Sequence, residues 1–293
     1  MKPQEKEREI GFDRAMEDRS TGSKLTEHPS SKQGVLQLRV LIVAPSLDIV
    51  GGQAVQASRL VKGFRESGRI EVGFSPHNPR LPGPLRGLQS IKYVRTVVTS
   101  LLYFASLLLR VGRYDVIHVF SASYFSYLLC AVPAILIARL FGKKSVLNYR
   151  SGEAEDHLKR WRRTAAPLMR LADKIVVPSG YLVDVFKRFG LQATAVFNMV
   201  DTEIFAYRDR EPLRPVFLSN RNLEALYNVG CILTAFGKIQ DGYPGARLIV
   251  AGDGKQRAAL ERKARELGLR NTEFVGQVPP QKMNELYREA DIY

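Results

Sequence analysis

A chain of 293 residues, 45% hydrophobic and 25% charged, has the composition of a soluble globular protein and, at roughly 150 residues per domain, the length of two domains. The net charge of +15 is uneven: residues 1–34 carry seven basic and seven acidic side chains, residues 35–212 carry 25 and 13, and residues 213–293 carry 12 and 9. Two cysteines, Cys130 and Cys231, provide neither a disulfide framework nor a zinc site and fit a reducing compartment, and the charged start of the chain does not read as a secretory leader.

Residues 1–34 are polar, of mixed charge and without apolar periodicity. They are expected to be a disordered extension, with an interaction tail as the alternative. The first folded unit is expected at 38–64, LRVLIVAPSLDIVGGQAVQASRLVKGF. Val40, Leu41, Ile42 and Val43 read as a buried strand and Gly51 and Gly52 as a turn, while Ala54, Ala57, Leu60, Val61 and Phe64 recur at helical spacing. Glycines at a helix N-terminus let a ligand approach free N–H groups and a partial positive charge. A plain strand-to-helix connection is the other reading.

A short strand is expected at 70–74, followed by a loop rich in Pro and Gly from Ser75 and a long apolar segment at 88–111. The apolar core of that segment, 97–109, reads as too short to cross about 30 Å of hydrocarbon. Residues 116–141 are long enough, but His118, Pro133, Arg139 and several serines favour a strand at 115–120 and a buried helix at 123–141. Then come a strand and loop at 145–153, a strongly basic helix at 157–171, a strand at 174–179, a helix at 181–189 and a strand at 193–198. This alternation implies a mainly parallel, doubly wound sheet. The charged, proline-containing stretch 206–215 reads as an interdomain connection. The pattern then restarts, with strands at 216–219, 246–254 and 271–278, helices at 230–240, 256–267 and 283–290, and a further strand beginning at ADIY.

Taken in order over about residues 38–293, these residues resemble the family 4 glycosyltransferases of GT-B architecture. The matching pieces are the strand and GG turn from Val40 to Gly52, DVIHVFSAS, ADKIVVPS, FNMVDTEIF, ARLIVAGDG and FVGQVPPQKMNELYREADIY. The resemblance implies an α/β fold of two Rossmann-like, doubly wound domains facing across a cleft. Residues 35–212 would form the acceptor-side domain and residues 213–293 part of the nucleotide-sugar-binding domain. The second domain is expected to be incomplete, because in the family the strand begun at ADIY leads on to an acidic motif and further sheet. The implied activity is transfer of a sugar from a UDP- or GDP-linked donor to a glycan or lipid-linked acceptor, with retention and with no metal or other cofactor. A nicotinamide enzyme is disfavoured, since neither APSLDIVGG nor AGDG supplies G-x-G-x-x-G after an opening strand.

By the same resemblance, Gly51, Gly52 and Gln53 would line the phosphate or acceptor side, and Gly252, Gly254, Val275 and Gly276 the nucleotide side. Arg221 stands where the family has an arginine on the donor diphosphate, and a guanidinium neutralises phosphate bidentately. Tyr227 and Asn228 occupy the region of the usual lysine, and a surface ion pair is the other reading of Arg221. The histidine frequent in the family after the strand at 145–149 is replaced by Arg150, Ser151 and Glu153. Loops at the carboxyl ends of parallel strands bind ligands, so Arg150 and Glu153 are the catalytic candidates, with an internal Arg–Glu pair as the alternative. His118 reads as a core histidine and His157 as part of the basic helix.

Lys159, Arg160, Arg162, Arg163 and Arg170 surround Trp161, a pattern that fits either an anionic membrane surface or a solvated face. Nucleic acid is disfavoured, since no recognised module accompanies the charge. The expected location is cytoplasmic, peripheral on the inner face of the membrane. The rival function is that of a truncated, catalytically silent fragment binding an acceptor or a membrane.

Overall fold

The computed structural model describes residues 37–47, 51–79, 81, 91–205 and 207–293. The extension expected at 1–34 and most of the Pro- and Gly-rich loop lie outside them. Two compact units are present, Met1–Phe197 and Asn198–Tyr293.

The first unit runs β1 (Leu38–Ala44), α1 (Gly52–Glu66), β2 (Ile70–Pro76), α2 (Lys92–Arg110), β3 (Val116–Ser121), α3 (Tyr124–Ser126), α4 (Val132–Leu140), β4 (Lys144–Tyr149), α5 (Ala154–Arg160), α6 (Ala165–Met169), β5 (Lys174–Val177), α7 (Gly180–Arg188) and β6 (Thr194–Ala195). Its six strands pair in the order β2-β1-β3-β4-β5-β6, every neighbour parallel. Side chains alternate along β1 with the period of a strand. Leu41 and Val43 enter one core with Leu107, Ile117, Val119 and Leu147, while Val40, Ile42 and Ala44 enter another with Ala57 and Val61 of α1. Helices therefore cover both faces, and that is why the strands are continuous apolar runs.

Three local differences from the sequence expectation have physical causes. The helix expected at 123–141 is present, but Tyr127–Ala131 forms a π turn between α3 and α4. The basic helix expected at 157–171 breaks after Arg160 and resumes at Ala165. Pro167 has no N–H to give the preceding turn, so it is tolerated in a new first turn and not inside a continuous helix. The apolar segment at 88–111 is also longer as a helix than its apolar core: Tyr93–Arg113 has the length and composition of a membrane span. Its inner edge is built into the unit, however, with Tyr103, Leu107 and Val111 buried in the core.

The second unit contains β7 (Val216–Ser219), α8 (Val229–Gly242), β8 (Arg247–Ala251), α9 (Arg257–Glu266), β9 (Thr272–Gly276) and α10 (Pro280–Glu289). Its parallel sheet is ordered β7-β8-β9, and Ile292 bridges in parallel to Phe217 on the free edge of β7. Leu248 and Val250 face a core with Leu233, Phe236 and Leu260, whereas Ile249 and Ala251 face Leu218 and Ala290.

The segment expected to connect two domains packs with this second unit. Arg214 donates to the Asp291 carboxylate from its backbone N–H at 2.8 Å, from Nε at 3.1 Å and from Nη2 at 2.9 Å, and Arg208 pairs with the same group. Arg210 Nε lies 4.0 Å from it. Hydrogen bonds, first from Arg214, hold this carboxyl well below the usual carboxylate range despite its burial. The division of the units consequently falls at Phe197–Asn198, ahead of 212/213.

Candidate functional site

In the first unit the chain leaves β1 toward β2 on one side and returns as β3 on the other, which opens a crevice at the carboxyl ends of these strands. The loops after β1, β3 and β4 share that edge. Gly51 is the N-cap of α1 with extended backbone and no side-chain cap. A Cβ added at Gly51 or Gly52 would meet nothing within 4 Å, so the space above this turn is open. Gln53 is half-buried beside it.

The end of β4 is a fixed polar array. Arg150 donates from its backbone to Ser121 O at 2.8 Å and from Nε to Asn148 Oδ1 at 2.8 Å, with its guanidinium 5.3 Å from the Phe120 ring centroid. With Asn148 Oδ1 taken by Arg150, the Asn148 amide faces His118 Nε2 at 3.0 Å. Burial, and then the Arg150 charge, push the His118 pKa down to about 4, so the ring is neutral and Nε2 accepts. Burial also lowers the Arg150 pKa. Among the described residues no ion pair joins Arg150 to Glu153, and Glu153 is exposed at the start of α5.

A second array was not anticipated from the sequence. His157, read there as part of a basic surface helix, is wholly buried among the rings of Tyr124, Tyr127, Tyr149 and Trp161. Its Nδ1 lies 2.9 Å from Tyr149 Oη, which lies 2.9 Å from Ser123 Oγ, and Ser123 Oγ donates to Ser151 Oγ at 2.7 Å. Since the Ser123 proton points at Ser151, Tyr149 must donate to Ser123 and His157 Nδ1–H to Tyr149. The tautomer is thereby fixed, and His157 Nε2 is a bare, buried nitrogen without a partner among the described residues. Burial lowers the His157 pKa to about 4, partly offset by Asp156. Ser151 Oγ accepts from both Ser123 and the Glu153 N–H, at 3.3 Å, so its own proton is left to donate outward. Tyr124, which opens α3 beside this chain, has φ of 57°, a strained conformation for a tyrosine, and is held by Asp156 and by ring contacts to His157 and Trp161.

In the second unit β7 lies between β8 and Ile292, and the loops after β7, β8 and β9 meet. Leu223 N–H donates to Asp253 O at 3.0 Å, Gln256 N–H to Leu223 O at 2.9 Å and Gly252 N–H to Gly276 O at 2.7 Å. A Cβ at Gly252, where φ is +147°, would lie 2.2 Å from Arg221 O, and one at Gly254 2.5 Å from Leu223 O. These two glycines are thus dictated by the neighbouring backbone. Gly276, with φ of +75°, is buried, and the Val275 side chain packs into the core beneath, which leaves backbone at this edge. Arg221 is exposed, and its guanidinium makes no ion pair among the described residues. No group of three or more His, Cys, Asp or Glu side chains that could hold a metal occurs among the described residues.

Comparison with known proteins gives consistent results. Residues 50–204 match the family described as Glycosyltransferase Family 4, and residues 201–293 match that described as Glycosyl transferases group 1. No curated protein sequence matches significantly. Among solved structures, the apo form of the lipopolysaccharide outer core galactosyltransferase WaaB superposes with a TM-score of 0.56 at 15% identity, over 86% of this chain and 72% of its own. The S. aureus MnaA–UDP structure gives 0.55 at 12% identity, over 86% and 72%. The UDP-GlcNAc 2-epimerase of Methanocaldococcus jannaschii gives 0.52 at 12% identity, over 87% and 77%. At these identities the likeness is one of fold: two units of parallel sheet wrapped by helices.

Proposed function

The chain belongs to glycosyltransferase family 4, and we propose that it moves a sugar from a nucleotide-sugar donor to a glycan or lipid-linked acceptor at the inner face of a membrane, retaining the anomeric configuration and using no metal. In this reading the second unit holds the donor and the first unit the acceptor. The observation that carries it is the carboxyl edge of the second sheet, where backbone loops packed through Gly252 and Gly254 present Arg221 without a counter-ion among the described residues. A guanidinium so free is suited to pair with a diphosphate and to stabilise it as it leaves. In the first unit, the open Gly51–Gly52 turn, Arg150 and the outward proton of Ser151 suit the hydroxyl-rich surface of an acceptor.

The test is isothermal titration with UDP and GDP, followed by transfer or donor hydrolysis by the chain and by Arg221→Ala. UDP is the nucleotide to try first, since the S. aureus neighbour was solved with it. Loss of a charged hydrogen-bonded contact of about 1.5–3 kcal/mol predicts nucleotide binding weakened ten- to hundredfold in Arg221→Ala, with the melting temperature unchanged. Equal binding and turnover in the two proteins would remove Arg221 from the site. Binding of neither nucleotide would reduce the function to that of an acceptor- or membrane-binding protein.

A further inference from the structure

The hydrogen-bonded line from His157 to Ser151 is costlier than a packed core requires. His157 is wholly buried in a cage of the Tyr124, Tyr127, Tyr149 and Trp161 rings, whose centroids lie 5.1, 5.4, 6.0 and 5.5 Å from its own. Backbone irregularity collects around it: Tyr124 has a left-handed φ of 57°, and the π turn Tyr127–Ala131 begins at a residue of the cage. Departures of both kinds recur at functional sites. The imidazole is held there at a cost in stability, since Nε2 is buried with no donor among the described residues. A phenyl ring would fill the same space without an orphaned nitrogen. What only the imidazole contributes is the Nδ1–H aimed at Tyr149 Oη, 2.9 Å away.

That proton sets the sense of every bond beyond it. Tyr149 and Ser123 are buried, and each commits its hydroxyl proton to the next oxygen, over 2.9 Å and 2.7 Å. At the open end, Ser151 Oγ receives the Ser123 hydroxyl proton and, at 3.3 Å, the Glu153 N–H, which fills both of its lone pairs. Ser151 can therefore donate and cannot accept, and its own proton has no acceptor among the described residues. A hydroxyl in this state neither takes a proton from a reacting group nor pairs with an ammonium. Its complement is an oxygen with a free lone pair, and it stands just beyond β4, at the edge of the first sheet where loops bind ligands. We propose that Ser151 binds a non-reacting oxygen of an acceptor sugar and that His157, acting through Tyr149 and Ser123, is the residue that positions it. The contact rests on the acceptor role proposed above for the first unit, and it needs neither donor nor transfer.

The experiment is saturation-transfer NMR of the full chain, without nucleotide, against the methyl glycosides of glucose, galactose, mannose and N-acetylglucosamine and their singly deoxygenated derivatives. At least one sugar is expected to bind, and to bind Ser151→Ala about tenfold more weakly, the effect of one lost hydrogen bond. The deoxy derivative lacking the contacted oxygen should lose the same factor against the parent and nothing against Ser151→Ala. His157→Phe, which keeps a ring in the cage, should weaken the same sugar about threefold without lowering the melting temperature. His157→Asn, whose amide N–H takes the place of Nδ1–H, should restore binding. Tyr149→Phe cuts the line in its middle and carries the same test should His157→Phe not fold. Nitrogen NMR of histidine-labelled protein should find the His157 proton on Nδ1. The proposal fails if no sugar binds the parent, if Ser151→Ala binds every sugar as tightly, or if the proton is on Nε2. Parent-like binding in both His157→Phe and Tyr149→Phe would refute the positioning role. Sugar binding that depends on Ser151 in a chain without transferase activity would refute the proposed reaction and leave this contact standing, and transfer unimpaired in Ser151→Ala would do the reverse.

Discussion

The glycines of the two units make opposite demands, and substitution separates them. At Gly252 a methyl group would sit 2.2 Å from Arg221 O and 3.0 Å from Arg221 C, backbone atoms that cannot swing aside, and φ of +147° lies where side-chain-bearing residues are strained. The conformational part costs about 1–3 kcal/mol, and forcing a methyl into filled space adds about 1–3 kcal/mol. Gly252→Ala should therefore destabilise the second unit by roughly 2–6 kcal/mol, which at a urea slope of about 2 kcal/mol/M lowers the midpoint by about 1–3 M. Because the displaced backbone is that of Arg221, nucleotide binding should fall with it. Gly51→Ala and Gly52→Ala are the controls: with nothing within 4 Å of either Cβ, stability should move by no more than about 1 kcal/mol, the size of a cap or helix-propensity change. Urea titration followed by circular dichroism measures all three. A Gly252→Ala midpoint equal to that of the parent would refute the packing argument, and a large loss in Gly52→Ala would refute the open space assigned above α1.

Three further outcomes follow from the same geometry. His77, His118 and His157 each have pKa lowered to about 4 by burial against an ordinary 6.5, so the folded state binds fewer protons than the unfolded one between those values. Stability should be full above pH 6.5 and decline as pH falls toward 4, and His157→Phe should flatten that slope in urea titrations across the range; an unchanged slope would deny His157 its share. Asp291→Ala should lower the melting temperature of the second unit at neutral pH, because it leaves the half-buried Arg208 and the exposed Arg214 without their shared, buried carboxylate; calorimetry showing no shift would count against this. Ser151→Ala should reduce acceptor turnover with little change in donor binding or melting temperature, and Tyr149→Phe, which cuts the chain fixing the Ser151 hydroxyl, should move turnover in the same direction. Kinetics at saturating donor decide both.

Much of the fold was legible in the sequence because parallel strands covered on both faces must be apolar throughout. LRVLIVA, VIHVFS and RLIVA show their buried faces in any order of reading. The glycine turn before α1 was equally plain. The candidate site was legible less evenly. Arg221 and Arg150 stand after strands and can be found by position, whereas the line from His157 through Tyr149 and Ser123 to Ser151 joins residues up to 28 positions apart. The sequence signal for it, serines and a tyrosine at two strand ends, gains meaning when β3 and β4 pair and set Ser121 opposite Tyr149.

The sequence by itself determined the alternation of strand and helix, the two-unit α/β plan and the family, all of which reside in local apolar periodicity and in the order of short motifs. Tertiary structure decided which glycines are packed against backbone and which face open space, since that depends on how near a neighbouring loop comes. It decided that His157 is buried and neutral and not part of a basic surface, because solvation is set by what closes over a ring. It decided as well that α2 is half core and half surface. A run of apolar residues states how much area must leave water, and the packing of Tyr103 and Leu107 against the sheet fixes which side of the helix has done so.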